Sequence, residues 1–357
     1  MYKRFIGTSY DMILSLAAQT CRHEGMMSTS RNGSVKDLPF SKMIFTQPRN
    51  RYSRNPARKH NILALMAETI WVLGGSNHLL SIADYLPRVY DFSDDGETWR
   101  AGYGPRIRNW SGDQGLGAPV DQVARVIELL KGSPDTRQAV INIWEVSSDG
   151  TDIQTKDRAC NNRLSFRIID GLLFMNVDIR SNDLVWGNMI NFYEWSVLHE
   201  LIAAEIGTPM GDLIMNQDSL HAYEHHWERL DAIADVVDVP FDKASNRIFK
   251  AGTLERILPR LLQMQDITAM SEEDVLHQTG ALGIIAGELV SMANQEDFGY
   301  EIFTLGAHLL TRPAVRATVL GRLLMDIAWN AQEYDIDQNL VANLMSRDKF
   351  AEALKEA

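Results

Sequence analysis

Cysteine is almost absent from this 357-residue sequence: Cys21 and Cys160 are the only two. They lie far apart and no Cys-x-x-Cys spacing occurs, which argues against a disulfide framework or a cysteine metal site. That scarcity points to a reducing, cytoplasmic setting. Long apolar runs are missing too, and no stretch approaches the roughly 18 residues of a membrane span. The first 25 residues have a basic start but no sustained apolar run, so they read as an amphipathic helix rather than a signal peptide. Basic clusters are also lacking, and the net charge is −12. General nucleic-acid binding, which needs clustered Lys and Arg, is therefore not expected. A single nucleotide stays possible, because one phosphate needs only a few local cations. There is no internal repeat and no low-complexity segment.

What is present is enough apolar material for a large core, 45% of the residues. From Asn61, Ile62, Leu65, Met66, Thr69 and Leu73 share one helical face that stops at Gly74-Gly75. Residues 76–118 are rich in Gly, Asp and aromatics and read as a long irregular region of functional type. Strands are expected over 139–144, 164–169 and 172–179. The last two flank Asp170-Gly171, a strong hairpin signal. In the last strand Leu173, Met175, Val177 and Ile179 share a face. A long helix is expected over 189–207, and a short strand near 212–217. Beyond about residue 235 only helical patterns remain, so a boundary is set near 240.

Chemistry-bearing residues stand out against this background. Cys160 sits among Asp157, Arg158, Asn161, Asn162 and Arg163, a poor core segment whose cations would favour a thiolate. A small buried hydrophobe is the alternative for it. Arg180, Ser181, Asp183, Gly187 and Asn191 lie where a strand leads into a helix. They are either ordinary caps or a ligand site, with Arg180 and Ser181 for a phosphate and Asn191 for a planar base edge. His221 and Tyr223 alternate and would point to one side of an extended chain, where they could clasp a sugar. His199, His221, His225 and His226 lack a carboxylate or cysteine at a known ligand spacing, so no metal is expected. Glu68 interrupts an apolar helix. It is either salt-bridged or a carboxyl of raised pKa that handles protons.

The ordered series Arg31-Asn32-Gly33, Glu68, Tyr103-Gly104, Ser133 to Arg137, Cys160, Arg180-Ser181-Asn182-Asp183, Gly187, Asn191, His221 and Tyr223 resembles thymidylate synthase and the pyrimidine nucleotide hydroxymethylases. The resemblance covers roughly residues 25–230. It implies an α+β fold, a central mixed β-sheet with packed helices over 1–240, followed by an all-helical extension over 241–357. It implies that Cys160 adds to C6 of a pyrimidine nucleoside monophosphate and activates C5 toward methylenetetrahydrofolate, a co-substrate. Glu68 would assist proton transfers at base and folate. Asp183, Gly187 and Tyr90 would meet the folate, and Asn191 the base edge. Arg31, Arg180 and Ser181 would hold the phosphate, and His221 and Tyr223 the sugar hydroxyl. Arg137 would reach the phosphate of a neighbouring subunit, which implies a homodimer.

The sequence departs from the family pattern at several points. Asn161 follows the cysteine where His is usual, and Gln138 follows Arg137 where a second Arg is usual. Tyr90 is the nearest candidate for an aromatic folate wall. The usual short apolar closing tail has no match, and the chain runs on through a helical stretch ending DKFAEALKEA. An altered wall and tail favour water capture over hydride transfer, because excluding water controls that branch. The expectation is therefore dUMP hydroxymethylation in the cytoplasm, or a host's cytoplasm if the gene is a phage's. The alternatives are a dCMP or CMP hydroxymethylase, a thymidylate synthase, and a non-catalytic nucleotide- or RNA-binding relative. Asn191 favours uracil and Ser181 deoxyribose. Modified phage DNA and antibiotic biosynthesis both fit as settings.

Overall fold

In the computed structural model the described residues are 2–236, with breaks at 52, 54, 59–61, 84–85, 112–116 and 152–153, together with isolated positions beyond 250. The helical extension expected over 241–357, and with it the closing tail, lies almost wholly outside the described residues. The chain divides into two compact units, Met1–Asn77 with Asp91–Asn246, and His78–Tyr90 with Arg247–Ala357.

In chain order the elements are β1 (Arg4–Gly7), α1 (Tyr10–Glu24), β2 (Met26–Ser30), β3 (Gly33–Phe45), α2 (Ile62–Leu73), α3 (Leu80–Ala83), α4 (Tyr103–Arg108) and α5 (Gln122–Gly132). Then come β4 (Val140–Asn142), α6 (Val146–Asp149), β5 (Asn161–Ile169), β6 (Leu172–Ile179), β7 (Asn182–Asp183), α7 (Gly187–Ile206), β8 (Met210–Tyr223) and α8 (Trp227–Asp235). The strands make one mixed sheet in the order β1-β3-β8-β6-β5-β4, with β2 added on β3 and β7 on β8. The fold is α+β, as expected.

The β5–β6 hairpin turns at Asp170 and Gly171, at φ 50° and 76°. Two left-handed residues in a two-residue loop match the twist of the flanking strands. Along β6, Leu173, Met175, Val177 and Ile179 are buried, while Asn176 and Asp178 on the other face are half-buried. On that second face Asn216 Nδ2 donates to Asn176 Oδ1 (2.6 Å) and Asp178 Oδ1 (2.9 Å), and Arg163 Nη2 donates to Asp178 Oδ2 (2.7 Å).

The N-terminal expectation needs correction: residues 4–7 are a strand paired in parallel with β3, and helix begins only at Tyr10 behind the Ser9 cap. The strand expected near 212–217 is fourteen residues long and pairs with both β3 and β6. The region 76–118 is not wholly irregular, since it holds α3, α4 and a 3-10 turn at Pro87–Phe92.

Helix α7 is apolar nearly all round, which fits a helix through the core. It ends at Gly207, whose φ of 68° is the left-handed cap conformation glycine favours. Phe192 of α7 stacks on Phe45 of β3 at 3.9 Å and on Tyr10 of α1 at 5.2 Å, tying sheet to helices.

Asp149 is fully buried and pairs with the equally buried Arg106 of α4, while Arg100 adds a second ion pair at 3.0 Å. Burial alone would raise its carboxyl, but the hydrogen bonds and charges of Arg106 and Arg100, with the Glu145 amide, hold it below the usual range. Asp149→Ala leaves the Arg106 charge buried without its partner. The expected loss is about 3–5 kcal/mol of unfolding free energy, read as a lowered urea midpoint. Arg125→Ala breaks only the exposed Arg125–Glu128 pair and should change stability by less than about 0.5 kcal/mol.

Candidate active site

Cys160 precedes β5, and Ile179 at the end of β6 pairs with Asn161. This register sets Arg180 beside Cys160: the Arg180 amide donates to the Cys160 carbonyl at 3.0 Å. The Arg180 side chain folds back over the same loop. Its Nε donates to Ala159 O (2.8 Å) and its Nη2 to Arg158 O (3.0 Å), with Nη2 3.9 Å from Cys160 Sγ. Nη1 has no partner among the described residues, so one edge of the guanidinium stays available to an anion. Ser181 beside it is half-buried. Arg31, on the β2–β3 turn, reaches the same loop and donates to Lys156 O at 2.9 Å.

The expected thiolate-favouring neighbourhood is not realised. Burial pushes the Cys160 thiol up and Asp157 adds to this, against the lowering effect of Arg180 and Arg31. The other cations are spent elsewhere. Arg158 donates to the Asp149 and Thr151 carbonyls, and Arg163 to Asp178. Sequence proximity of positive charge therefore overstated its effect on the sulfur.

Behind Cys160 runs a chain of amides. Trp195 Nε1 donates to Asn161 Oδ1 (3.1 Å), and Asn161 Nδ2 to Asn191 Oδ1 (2.8 Å). Asn191 Nδ2 then donates to Asn182 Oδ1 (3.2 Å), and Asn182 Nδ2 to Gln217 Oε1 (3.0 Å). Asn191 alone among these amides is not fully buried. Tyr103 of α4 stacks on Trp195 at 5.9 Å.

Glu68 of α2 is buried, and burial pushes its carboxyl up to about 7. Glu194 of α7, three residues after Asn191, is also buried, and neither of its oxygens has a hydrogen-bond partner among the described residues. Burial first, then the Glu68 charge, raise it well above the carboxylate range. Helices α2 and α7 pack together. The sequence reading passed over Glu194. Its one signal was a carboxylate inside an apolar helix, the same signal that picked out Glu68.

At the far end of β8, Ser219 Oγ donates to Asp37 Oδ1 (2.9 Å) and lies 3.0 Å from His221 Nδ1. A hydroxyl has one proton, so Nδ1 is the donor to Ser219 and Nε2 is left as an acceptor. Burial lowers the His221 pKa against the raising charges of Asp183 and Asp37, and its ring meets Tyr223 edge-on at 4.9 Å. Asp183 pairs in register with His221, and its Oδ1 accepts from the Val185 (2.9 Å) and Trp186 (3.3 Å) amides. At Gly187 a Cβ would find only Asn182 Oδ1 and Asp183 Cβ, at 3.9 and 4.0 Å. Beside it the 41%-exposed Trp186 indole meets the Arg58 guanidinium at 5.4 Å and the His226 ring at 6.5 Å.

Arg137 and His199 stand apart from these groups. Arg137 is exposed on the α5–β4 loop. Tyr90 is exposed in the 3-10 turn and belongs to the second unit. His199 is a core residue bonded to Leu173 O at 2.7 Å. Among the described residues no group of three or more His, Cys, Asp or Glu could hold a metal, and no helix is long and apolar enough to cross a membrane.

Comparison with known proteins fits this arrangement. A family model described as thymidylate synthase matches residues 15–242. The chain belongs to the thymidylate synthase family. Among curated relatives, a deoxyuridylate hydroxymethyltransferase of Bacillus phage SP01 is 34% identical over 61% of this chain and 58% of its own length. Proteins of the same name from Pseudomonas phage M6 and Delftia phage PhiW-14 are 33% and 32% identical, over 61% of this chain and 60% and 61% of their own. The chain thus spans about three fifths of these relatives' length.

The two buried carboxyls give this thymidylate synthase family member a pH signature. The fold favours their protonated forms, so folded Glu68 holds a proton that the unfolded chain releases between about pH 4.5 and about 7. Stability therefore falls as pH rises through that window. Glu68→Gln removes one contribution. Between pH 5 and pH 8 the variant should lose on the order of 3 kcal/mol less unfolding free energy than the unsubstituted protein, measured by denaturant titration at each pH.

Proposed function

We propose that this chain is a folate-dependent one-carbon transferase that converts dUMP to 5-hydroxymethyl-dUMP, with methylenetetrahydrofolate and water as co-substrates. The observation that carries the reading is the arrangement of Cys160 just before β5, the Asn191 amide and the Glu194 carboxyl on α7, and the Glu68 carboxyl on α2, which packs against α7. The names of the phage relatives support the same substrate.

The Cys160 sulfur adds to C6 of the uracil ring, and the electron pair moves through C5 toward O4, making C5 nucleophilic. Methylenetetrahydrofolate supplies the one-carbon unit. After C5 loses its proton and the folate amine departs, the base carries an exocyclic methylene. Water adds to that carbon, its proton goes to a carboxylate, and the electron pair again moves to O4. Expulsion of the thiolate from C6 restores the 5,6 double bond and frees Cys160. Glu68 suits the proton transfers, because a carboxyl pushed up to about 7 both takes and gives a proton at working pH, and Glu194, raised well above the carboxylate range, suits the holding of a proton beside it.

The open edge of Arg180, with Ser181 and Arg31, supports binding of the phosphate. The acceptor Nε2 of His221 and the Tyr223 hydroxyl suit a sugar hydroxyl. Asp183, Glu68 and the space at Gly187 beside Trp186 suit the folate ring. We assign residues up to about 240 to the catalytic domain and the remainder to an extension. A homodimer in which Arg137 serves the partner's phosphate completes the reading. The exposure of Arg137 and the half-buried polar face of the sheet around Asn176, Asp178 and Asn216 support it.

Incubation with dUMP and methylenetetrahydrofolate should give 5-hydroxymethyl-dUMP and tetrahydrofolate. Thymidylate with dihydrofolate would overturn the reading. Cys160→Ala should lower turnover by roughly 10³-fold or more, and retention of activity would exclude Cys160 as nucleophile. The shared site has its own test. Cys160→Ala and Arg137→Ala proteins, each impaired alone, should regain up to about a quarter of full activity when mixed and allowed to exchange subunits. No recovery would refute a site built from two chains.

A further inference from the structure

We propose that Trp195 and Asn161 select the pyrimidine, by locking the amide of Asn191 in the orientation that accepts uracil and refuses cytosine. This rests on the reading above that Asn191 meets the base.

An asparagine amide can turn by half a rotation with little change of shape, exchanging its oxygen and nitrogen. The turn matters here. Uracil offers an acceptor at O4 and a donor at N3, whereas cytosine offers a donor at N4 and an acceptor at N3. An unrestrained amide would serve either base by turning round.

Asn191 is restrained. Its oxygen receives Asn161 Nδ2 at 2.8 Å, and its nitrogen donates to Asn182 at 3.2 Å. Each amide in the chain faces its neighbour oxygen to nitrogen, so turning one forces all of them to turn. Four of the five members are amides and could turn together. Trp195 cannot, because an indole N–H only donates. It donates to Asn161 Oδ1 at 3.1 Å, and its ring is fully buried against Tyr103. In the reversed chain this N–H would face the Asn161 NH₂ group and lose its partner.

The other end restrains the chain less: Asn188 Nδ2 donates to Gln217 Oε1 at only 3.4 Å, and Asn188 is itself an amide that can turn. Gln217 Nε2 and Asn188 Oδ1 are both buried without partners among the described residues. Reversal would turn Gln217 Nε2 toward Asn182 and give it one. Direction is thus imposed from the Trp195 end and passed through Asn161, the residue that replaces the family's usual histidine. In the imposed direction Asn191 keeps one lone pair on Oδ1 and one N–H on Nδ2 for a ligand, matching N3–H and O4 of uracil.

Asn161→Asp tests this. A carboxylate still accepts from Trp195, but its second oxygen can only accept from Asn191, which must then turn its nitrogen round. The ratio of kcat/KM for dUMP over dCMP should fall by about tenfold or more, with part of the change a gain on dCMP. Trp195→Phe keeps a ring against Tyr103 but frees the chain to turn, so the ratio should fall several-fold, chiefly through KM for dCMP. Folding of each variant is checked by its thermal transition with and without nucleotide. If either folded variant leaves the dUMP to dCMP ratio unchanged while dUMP turnover drops, the lock is refuted and the hydroxymethylase reading stands. If the unsubstituted protein acts on neither nucleotide, that reading falls and takes the lock with it.

Discussion

The carboxylate of Asp149 is the point on which the candidate site is hung. A fully buried charge is tolerable only when its partners and hydrogen bonds are complete. Here Arg106 brings α4 to it, Arg100 brings the segment before α4, and the Glu145 amide closes α6 onto it at 3.1 Å. The same two arginines continue outward. Arg106 Nη1 holds Ile143 O at 2.7 Å, at the exit of β4, and Arg100 Nη2 holds Asp157 O at 2.9 Å. The Ala101 amide meets the Asp157 carboxylate at 3.1 Å, and Arg158 grips the Asp149 and Thr151 carbonyls. The approach to Cys160 is therefore tied on both sides to one buried anion. Cys160 is set by this lattice as much as by its own strand.

Burial has a second effect, on charge. Cys160, Glu68, Glu194 and Tyr103 are all pushed upward, and His221 downward, each chiefly by loss of solvent. Every one of these shifts favours the neutral form. These shifts move the groups around Cys160 toward their neutral forms, while Arg31 and Arg180 bring positive charge to the loop beside the sulfur. On the proposed reading, that order suits an anionic ligand whose charged end meets the two arginines while its ring lies against the less polar groups.

Parts of this were legible in the sequence because they are local. The Asp170-Gly171 turn needs two left-handed residues and nothing distant, so it was found at its position. The Arg180 to Asn191 series lies on one strand–helix connection and was located as a unit. The long strand β3 was missed, and β8 was read as a short strand, because their alternation is broken. In β3 the pairing skips Phe40, whose φ is 50°, and Pro39 precedes it. The amide chain could not be read at all, since its members stand at positions 161, 182, 191, 195 and 217 and meet only through the sheet and α7. The charge at Cys160 was misjudged for a related reason. A sequence lists neighbouring arginines but not the carbonyls on which they are spent.

One turn of α7 carries more than one task. Asn191, Glu194 and Trp195 are spaced i, i+3 and i+4, so they share a face of a helix with 3.6 residues per turn. On the proposed reading one presents an amide to the base, one a carboxyl without a hydrogen-bond partner among the described residues, and one the donor that orients the first. Their separations are set by helix geometry rather than by independent loops, and α7 is held by core packing along its length. Any displacement of that turn would move base recognition and proton handling together. Misplacement by an ångström is costly for both. If the proposed roles hold, selectivity and turnover are coupled through the backbone, and a variant that improves one by shifting α7 will disturb the other. Side-chain changes at position 161, which lies on β5 outside the helix, escape that coupling. They alter the direction of the amide chain while leaving the turn of α7 where it is.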